Sequence, residues 1–243
     1  MAARDTRRSD GVGPYLRFAL VVLYPLTVLL FKVSWRHRER IPASGGAIIA
    51  VNHISYADPI VFGRFIWDAG RVPRYLAKAS LFRAPFPVGM VIRGSGQIPV
   101  NRGTPDAGTA LEHAVRALRQ GQLVLIYPEG TVTRDPDWWP MQGKTGIARL
   151  ALMVPEAPVI PVGQWGAQHF LDYYHKKLRP IPRTRVYVDA GEPVDLSDFH
   201  GQPASHEVLA AMTERIMVAV RDRVAGLRGE PAPEQFYRRP AGT

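Results

Sequence analysis

The 243-residue chain has no cysteine. It therefore has no disulfide, no thiol nucleophile and no cysteine-ligated zinc, a usage that suits a cytosolic face. It also lacks a Gly-x-Ser-x-Gly elbow, which argues against a serine hydrolase. Gly143-Lys144-Thr145 looks like the end of a phosphate-binding loop, but the glycine required five positions earlier is Trp138, so nucleotide triphosphate binding is excluded. His169 and His175 have no partners at metal-ligand spacing, and neither a metal nor a cofactor is expected. Acids are short as well: 21 Asp and Glu against 31 Lys and Arg leave a net charge of +10. No basic run is interleaved with aromatics, so nucleic acid is not the expected partner; an anionic membrane surface is.

A long apolar run is missing too. Phe18 to Phe31 is apolar and uncharged but interrupted by Pro25. It is shorter than the ~20 residues a spanning helix needs, and suits a helix lying in the interface or re-entering it. Arg4, Arg7 and Arg8 before it, and Lys32, Arg36, Arg38 and Arg40 after it, favour anionic headgroups. The basic excess that follows places the catalytic domain on the cytoplasmic face of the cell membrane if the helix spans after all. A buried core helix is the plain alternative. Residues 1–40 are thus expected to form a basic N-terminus and anchor, 41–228 a catalytic domain, and 229–243 a loose Pro-rich tail.

What is present is an alternation of short apolar runs with helical ones. Strands are expected near 46–52, 75–82, 97–101, 123–128, 157–163 and 184–190. Helices are expected at 59–68, 106–120 and 144–153. Leu209, Met212, Ile216, Val220 and Val224 repeat at helical spacing between 207 and 227, a stripe that faces a core. The alternation predicts an α/β fold with a mostly parallel central sheet flanked by helices.

Two polar blocks follow two of these strands. After Ala47–Val51 comes Asn52-His53-Ile54-Ser55-Tyr56-Ala57-Asp58-Pro59. Asp58-Pro59 reads as a helix start. If 53–58 were all helical, five steps of ~100° would set His53 and Asp58 on different faces. They can meet only across a strand-to-helix turn, where Asp58 would orient the ring and leave its other nitrogen free to take a proton. Each residue also has a plain reading, Asp58 as an N-cap and His53 as a core histidine. After Leu123–Tyr127 comes Pro128-Glu129-Gly130-Thr131, a polar loop at a strand end, where α/β folds place ligand contacts.

Together, in this order, the blocks resemble the glycerolipid acyltransferase superfamily, most closely the 1-acylglycerol-3-phosphate acyltransferases. The likeness covers about residues 40–165. It includes Gly94-Ser95-Gly96-Gln97-Ile98-Pro99-Val100-Asn101-Arg102 and the apolar-Pro-apolar block Val159-Ile160-Pro161-Val162. It implies a membrane-associated enzyme that moves an acyl group from acyl-coenzyme A or acyl carrier protein to a lysophospholipid hydroxyl, with His53 as base and Asp58 as its orienter. Lys78 stands where relatives carry a lysine in the cleft; it or backbone N–H groups near 53–58 would hold an oxyanion, and a strand-edge cap is its plain reading. Arg102 is expected to bind substrate phosphate, with Asn52, Glu129, Gly130, Thr131, Arg134 and Lys144 contributing to substrate binding. Glu129 would orient Arg102 or a glycerol hydroxyl. Relatives follow Glu-Gly-Thr with Arg-Ser, whereas this chain has Val132-Thr133 before Arg134, and their Lys-Lys-Gly-Ala appears as Gly143-Lys144-Thr145-Gly146. The rival readings are an acyltransferase for glycerol 3-phosphate or another lysophospholipid, and a non-catalytic protein that binds anionic membranes.

Overall fold

The computed structural model of the chain describes residues 12–100, 107–175 and 177–238. Arg102 lies outside the described residues, as do Arg4, Arg7 and Arg8. Helix α1 (Pro14–Leu30) runs directly into strand β1 (Phe31–Arg36). Then come β2 (Ala47–Val51), α2 (Asp58–Asp68), β3 (Pro73–Lys78), α3 (Val88–Gly94), β4 (Ile98–Val100), α4 (Ala107–Arg119) and β5 (Leu123–Ile126). The chain continues through α5 (Gly146–Met153), β6 (Val159–Trp165), the single turn α6 (Ala167–Phe170), the short hairpin β7 (Leu171–Asp172) and β8 (Lys177–Leu178), β9 (Thr184–Ala190) and α7 (His206–Arg228).

The seven-stranded sheet has the order β1-β9-β6-β2-β5-β3-β4. Neighbours run parallel except β9 against β6, as the alternation of strands and helices required. Every residue of β2 is buried because the strand is walled on both sides. Ile48 and Ala50 pack with Ala114, Ile147, Met212 and Ile216 on one face. Ile49 and Val51 pack with Phe62, Phe65 and Ile66 on the other. A doubly covered strand cannot alternate polar with apolar residues, hence its continuous apolar sequence. The stripe from Leu209 to Val224 is buried as expected.

Three segments differ from expectation. The supposed anchor of 15–40 divides: after α1 the alternation Phe31, Val33, Trp35 against Lys32, Ser34, Arg36 makes β1, which pairs in register from Phe31↔Thr184 to Arg36↔Asp189. The strand near 75–82 stops at Lys78, and residues 79–83 wind into a 3-10 turn leading to α3. The stretch expected as a loose tail is held through residue 238. Tyr237 bridges Met141 and accepts from the Gln142 N–H at 3.1 Å, and the Arg221 guanidinium lies 4.9 Å over the Phe236 ring.

Helix α1 packs toward α2 and α3 but leaves Val21 74%, Leu29 68% and Phe18 46% exposed. Its 17 residues rise about 26 Å. Among the described residues no helix is long and apolar enough to cross a membrane.

Candidate active site

The polar blocks gather where the parallel strands β2, β5 and β6 end. At the end of β2, Asn52 is fully buried, and its amide is used up by Gln164 on β6. The Asn52 Nδ2 donates to Gln164 O at 3.0 Å, its Oδ1 accepts from Gln164 N at 2.8 Å, and Gln164 Nε2 donates to Asn52 O at 2.7 Å. These bonds continue the β2–β6 ladder beyond its last backbone pair. Asn52 is thus a brace rather than the substrate contact expected of it.

The brace sets the next residue, His53. Its N–H donates to Glu129 Oε1 at 2.8 Å, and its carbonyl accepts from Thr133 N at 2.7 Å. Its ring stacks on Tyr127 at 4.3 Å between centroids and 24° between planes. Nδ1 lies 2.8 Å from Asp58 Oδ2. That same oxygen accepts from Ile54 N at 2.7 Å and Ser55 N at 2.9 Å. Residues 52–57 are non-helical, and α2 begins at Asp58, so the pair meets across the strand-to-helix turn that geometry demanded. Asp58 does not act as an N-cap: that position is Ala57, and the carboxylate folds back onto the turn. Beside an oxygen already taking two main-chain N–H groups, Nδ1 is the donor, which leaves Nε2 as the basic nitrogen.

Burial raises the Asp58 carboxyl above its ordinary range, against the lowering effect of the His53 and main-chain hydrogen bonds. Its second oxygen, Oδ1, is buried without a hydrogen-bond partner among the described residues. Glu129 is also buried, and burial pushes its carboxyl up to about 8. Its Oε2 accepts from Met141 N at 2.9 Å. With one oxygen on His53 and the other on Met141, it clamps two loops from behind. The expected partners, Arg102 or a substrate hydroxyl, do not figure in the geometry shown.

Gly130 is left-handed at φ 75°, and a Cβ there would stand 3.1 Å from the Lys144 Cε, so the lysine stem lies along the loop. Lys144 N also donates to Pro128 O at 2.9 Å. Thr131 is half-buried in the same loop. Arg134 is half-buried, with its Nε unbonded among the described residues and its N–H directed at Met141 Sδ. Lys78, by contrast, is exposed at the end of β3. Period-two alternation turns it with Leu76, which packs on the α4/α5 side, away from Tyr75 and its 6.4 Å contact with Tyr127. Among the described residues it makes no bond to His53 or Asp58.

An apolar cavity of about 210 Å³ opens between α1, α2, β3 and α3, lined by Leu16, Leu20, Leu23, Ile60, Trp67 and Val91 among others. Tyr75 is part of its wall, donates to Pro59 O at 2.8 Å and neighbours Tyr127, so the cavity borders the ring stack that ends in His53. No group of three or more His, Asp or Glu able to hold a metal occurs among the described residues. Reading the sequence alone missed Gln164 and Tyr127. An aromatic residue at the strand end before Pro128-Glu129-Gly130 was the available signal for Tyr127, and nothing local marks Gln164.

Comparison with known proteins follows the same lines. The Acyltransferase family model matches residues 32–165. A 1-acyl-sn-glycerol-3-phosphate acyltransferase of Bacillus subtilis is 29% identical over 190 residues, 76% of this chain and 85% of that protein. One from Borreliella burgdorferi is 35% identical over 133 residues, 54% of this chain and 50% of that protein. The crystal structure of the 1-acyl-sn-glycerophosphate acyltransferase PlsC from Thermotoga maritima superposes with a TM-score of 0.60 at 25% identity, covering 93% of this chain and 88% of that one.

Proposed function

The chain belongs to the acyltransferase family, and from that premise we propose that it acylates the free hydroxyl of 1-acylglycerol 3-phosphate, forming phosphatidate. The donor is a thioester, acyl-coenzyme A or acyl carrier protein, and no other cofactor is needed. The observation that carries this reading is the His53 ring held by Asp58 at 2.8 Å, with its second nitrogen unbonded among the described residues, at the C-terminal ends of parallel strands beside an apolar cavity. The named relatives acting on 1-acyl-sn-glycerol 3-phosphate support the choice of acceptor.

His53 Nε2 takes the hydroxyl proton as the acceptor oxygen attacks the thioester carbonyl. The tetrahedral intermediate collapses, the carbon–sulfur bond breaks, and the thiolate leaves with the proton the imidazolium returns. Asp58 keeps Nδ1 protonated and the ring aimed throughout. The main-chain clamp by Glu129 fixes the histidine backbone. Because burial lifts the Glu129 carboxyl to about 8, it is mostly neutral near pH 7 and does not repel a phosphate. Arg102, Arg134 and Lys144 are the cations for the headgroup, and the cavity beside Tyr75 takes acyl chain. Helix α1, with its exposed apolar side, holds the enzyme at the membrane surface.

The test is transfer by the purified protein from acyl-coenzyme A or acyl carrier protein to 1-acylglycerol 3-phosphate, glycerol 3-phosphate or another lysophospholipid, read by product mass. Phosphatidate is the expected product. Changing His53→Ala should lower kcat about 10²–10⁴-fold with the fold intact, and wild-type turnover by that variant would remove His53 from the chemistry.

A further inference from the structure

The hairpin of β7 and β8 stands outside the catalytic turn yet is tied to it. Ser55 Oγ, two residues after His53, donates to Leu171 O at 2.9 Å, and the Tyr56 ring meets Tyr173 edge-on at 4.6 Å. The hairpin is also tied to α1. The Phe170 ring packs at a tilt against Phe31 at 4.7 Å, and Arg183 donates to Val28 O at 2.6 Å and Phe31 O at 2.8 Å, covering carbonyls at the end of that helix. Its base is firm, with Arg179 N donating to Phe170 O at 2.8 Å.

The hairpin and the segment after β8, however, are dressed in the wrong residues for water. Ile181 is 86% exposed, Leu178 59% and Tyr174 43%, beside α1 residues Leu29 at 68% and Val28 at 42%. Interleaved with them are the exposed cations Lys177, Arg179, Arg183 and Arg185. None of these has a carboxylate within ion-pair distance among the described residues. The hairpin's own acid, Asp172, is occupied by His175 Nδ1 at 2.7 Å and by two main-chain N–H groups.

We propose that β8 and the segment that joins it to β9, residues 177–185, form a second lipid-contact element, docking on an anionic phospholipid surface next to α1 and bringing the His53 turn to the headgroup layer. It deepens, and rests on, the reading of the acceptor as a membrane lipid. Aliphatic side chains among cations without carboxylate partners, and a tyrosine, match the headgroup–acyl boundary of an anionic monolayer. Continuity with the exposed apolar residues of α1, Val21, Val28 and Leu29, favours a lipid surface over an acidic protein, for which so broad an apolar margin would have no use.

The experiment uses the full chain and limiting amounts of phosphatidylglycerol or phosphatidylcholine vesicles. Cosedimentation is read beside transfer to a short-chain acceptor dispersed as monomers. The double variant Leu178→Glu/Ile181→Glu should bind phosphatidylglycerol vesicles roughly tenfold more weakly, while its transfer to the monomeric acceptor stays unchanged. Lys177→Gln/Arg179→Gln should weaken binding to phosphatidylglycerol and leave binding to phosphatidylcholine as it was. Unaltered vesicle binding by the first variant overturns the proposal. So does selective loss of transfer from acyl carrier protein with vesicle binding intact, which would make the acidic carrier the occupant. If the wild type makes no phosphatidate yet its vesicle binding still depends on this element, the acceptor reading fails and the lipid contact stands.

Discussion

The two ends of the central sheet solve the same problem with opposite hydrogen-bonding chemistry, a donor group at one and acceptor groups at the other. At the N-terminal ends of β2, β3 and β5, Arg71 is 1% exposed and donates to Pro42 O at 2.6 Å, Gly45 O at 3.1 Å and Gly121 O at 2.6 Å. At the C-terminal ends, buried Asp58 and Glu129 accept main-chain N–H groups from Ile54, Ser55, His53 and Met141. Strand ends leave carbonyls or N–H groups without ladder partners, and a buried guanidinium or carboxyl group bonded to several of them satisfies the need. At the guanidinium end the hydrogen bonds shown all run to main-chain carbonyls. The carboxylate end also holds an imidazole whose outer nitrogen is unbonded among the described residues, and that difference separates a brace from a site.

Breaking the guanidinium end should show the largest effect on stability and none on chemistry. Arg71→Met removes three charge-assisted hydrogen bonds to main-chain carbonyls, a loss of about 3–5 kcal/mol against a typical total of about 5–15 kcal/mol. Urea unfolding should record that loss, while kcat per folded molecule is unchanged. A fall in kcat without a fall in stability would mean the two ends are not separable in this way.

At the other end, the effect should depend on pH. The folded Glu129 carboxyl sits at about 8 against an ordinary 4.5. Between those values the folded chain binds a proton that the unfolded chain has released, so stability is full below about 4.5 and is lost as pH rises through 8. The shift corresponds to about 5 kcal/mol across that window. Glu129→Gln removes the titration, and its unfolding free energy should be flatter between pH 5 and 8. It also sets an amide NH2 against one of the two N–H donors, so kcat should drop about tenfold, the equivalent of one hydrogen bond of about 1.4 kcal/mol. A variant with the wild-type pH slope would show that the carboxyl titrates normally.

How much of this was legible in the sequence follows from how local each signal is. The apolar runs of β2 and β5, the stripe of α7 and the His53–Asp58 turn are written within a few residues, and the structure carries each of them. β1 was absorbed into the apolar segment before it because its partner, β9, lies some 150 residues away. The Asn52–Gln164 brace spans 112 residues, and the Glu129–His53 clamp 76. No spacing rule reaches that far. The resemblance named Asn52 and Glu129 without disclosing that both bond main chain. Likewise the tail from 229 onward reads as Pro-rich and loose, yet Tyr237 bridges Met141 and the Phe236 ring lies 4.9 Å under the Arg221 guanidinium. That attachment is made by residues far away in the chain.

The smallest expected effect isolates what the carboxylate end needs from Tyr127. Its ring lies between Tyr75 and His53, but its hydroxyl is buried without a hydrogen-bond partner among the described residues. An unsatisfied buried hydroxyl costs about 1–3 kcal/mol, so Tyr127→Phe should leave kcat unchanged and stability equal or higher. Tyr127→Leu, which removes the stacked face, should lose about 0.5–1.5 kcal/mol of aromatic contact and several-fold in kcat. The imidazolium formed when His53 takes a proton rests on that π-face, so KM should move less than kcat. If Phe lowered kcat as much as Leu, the hydroxyl itself would be at work, and the orphaned Asp58 Oδ1 would be the first place to look for its partner.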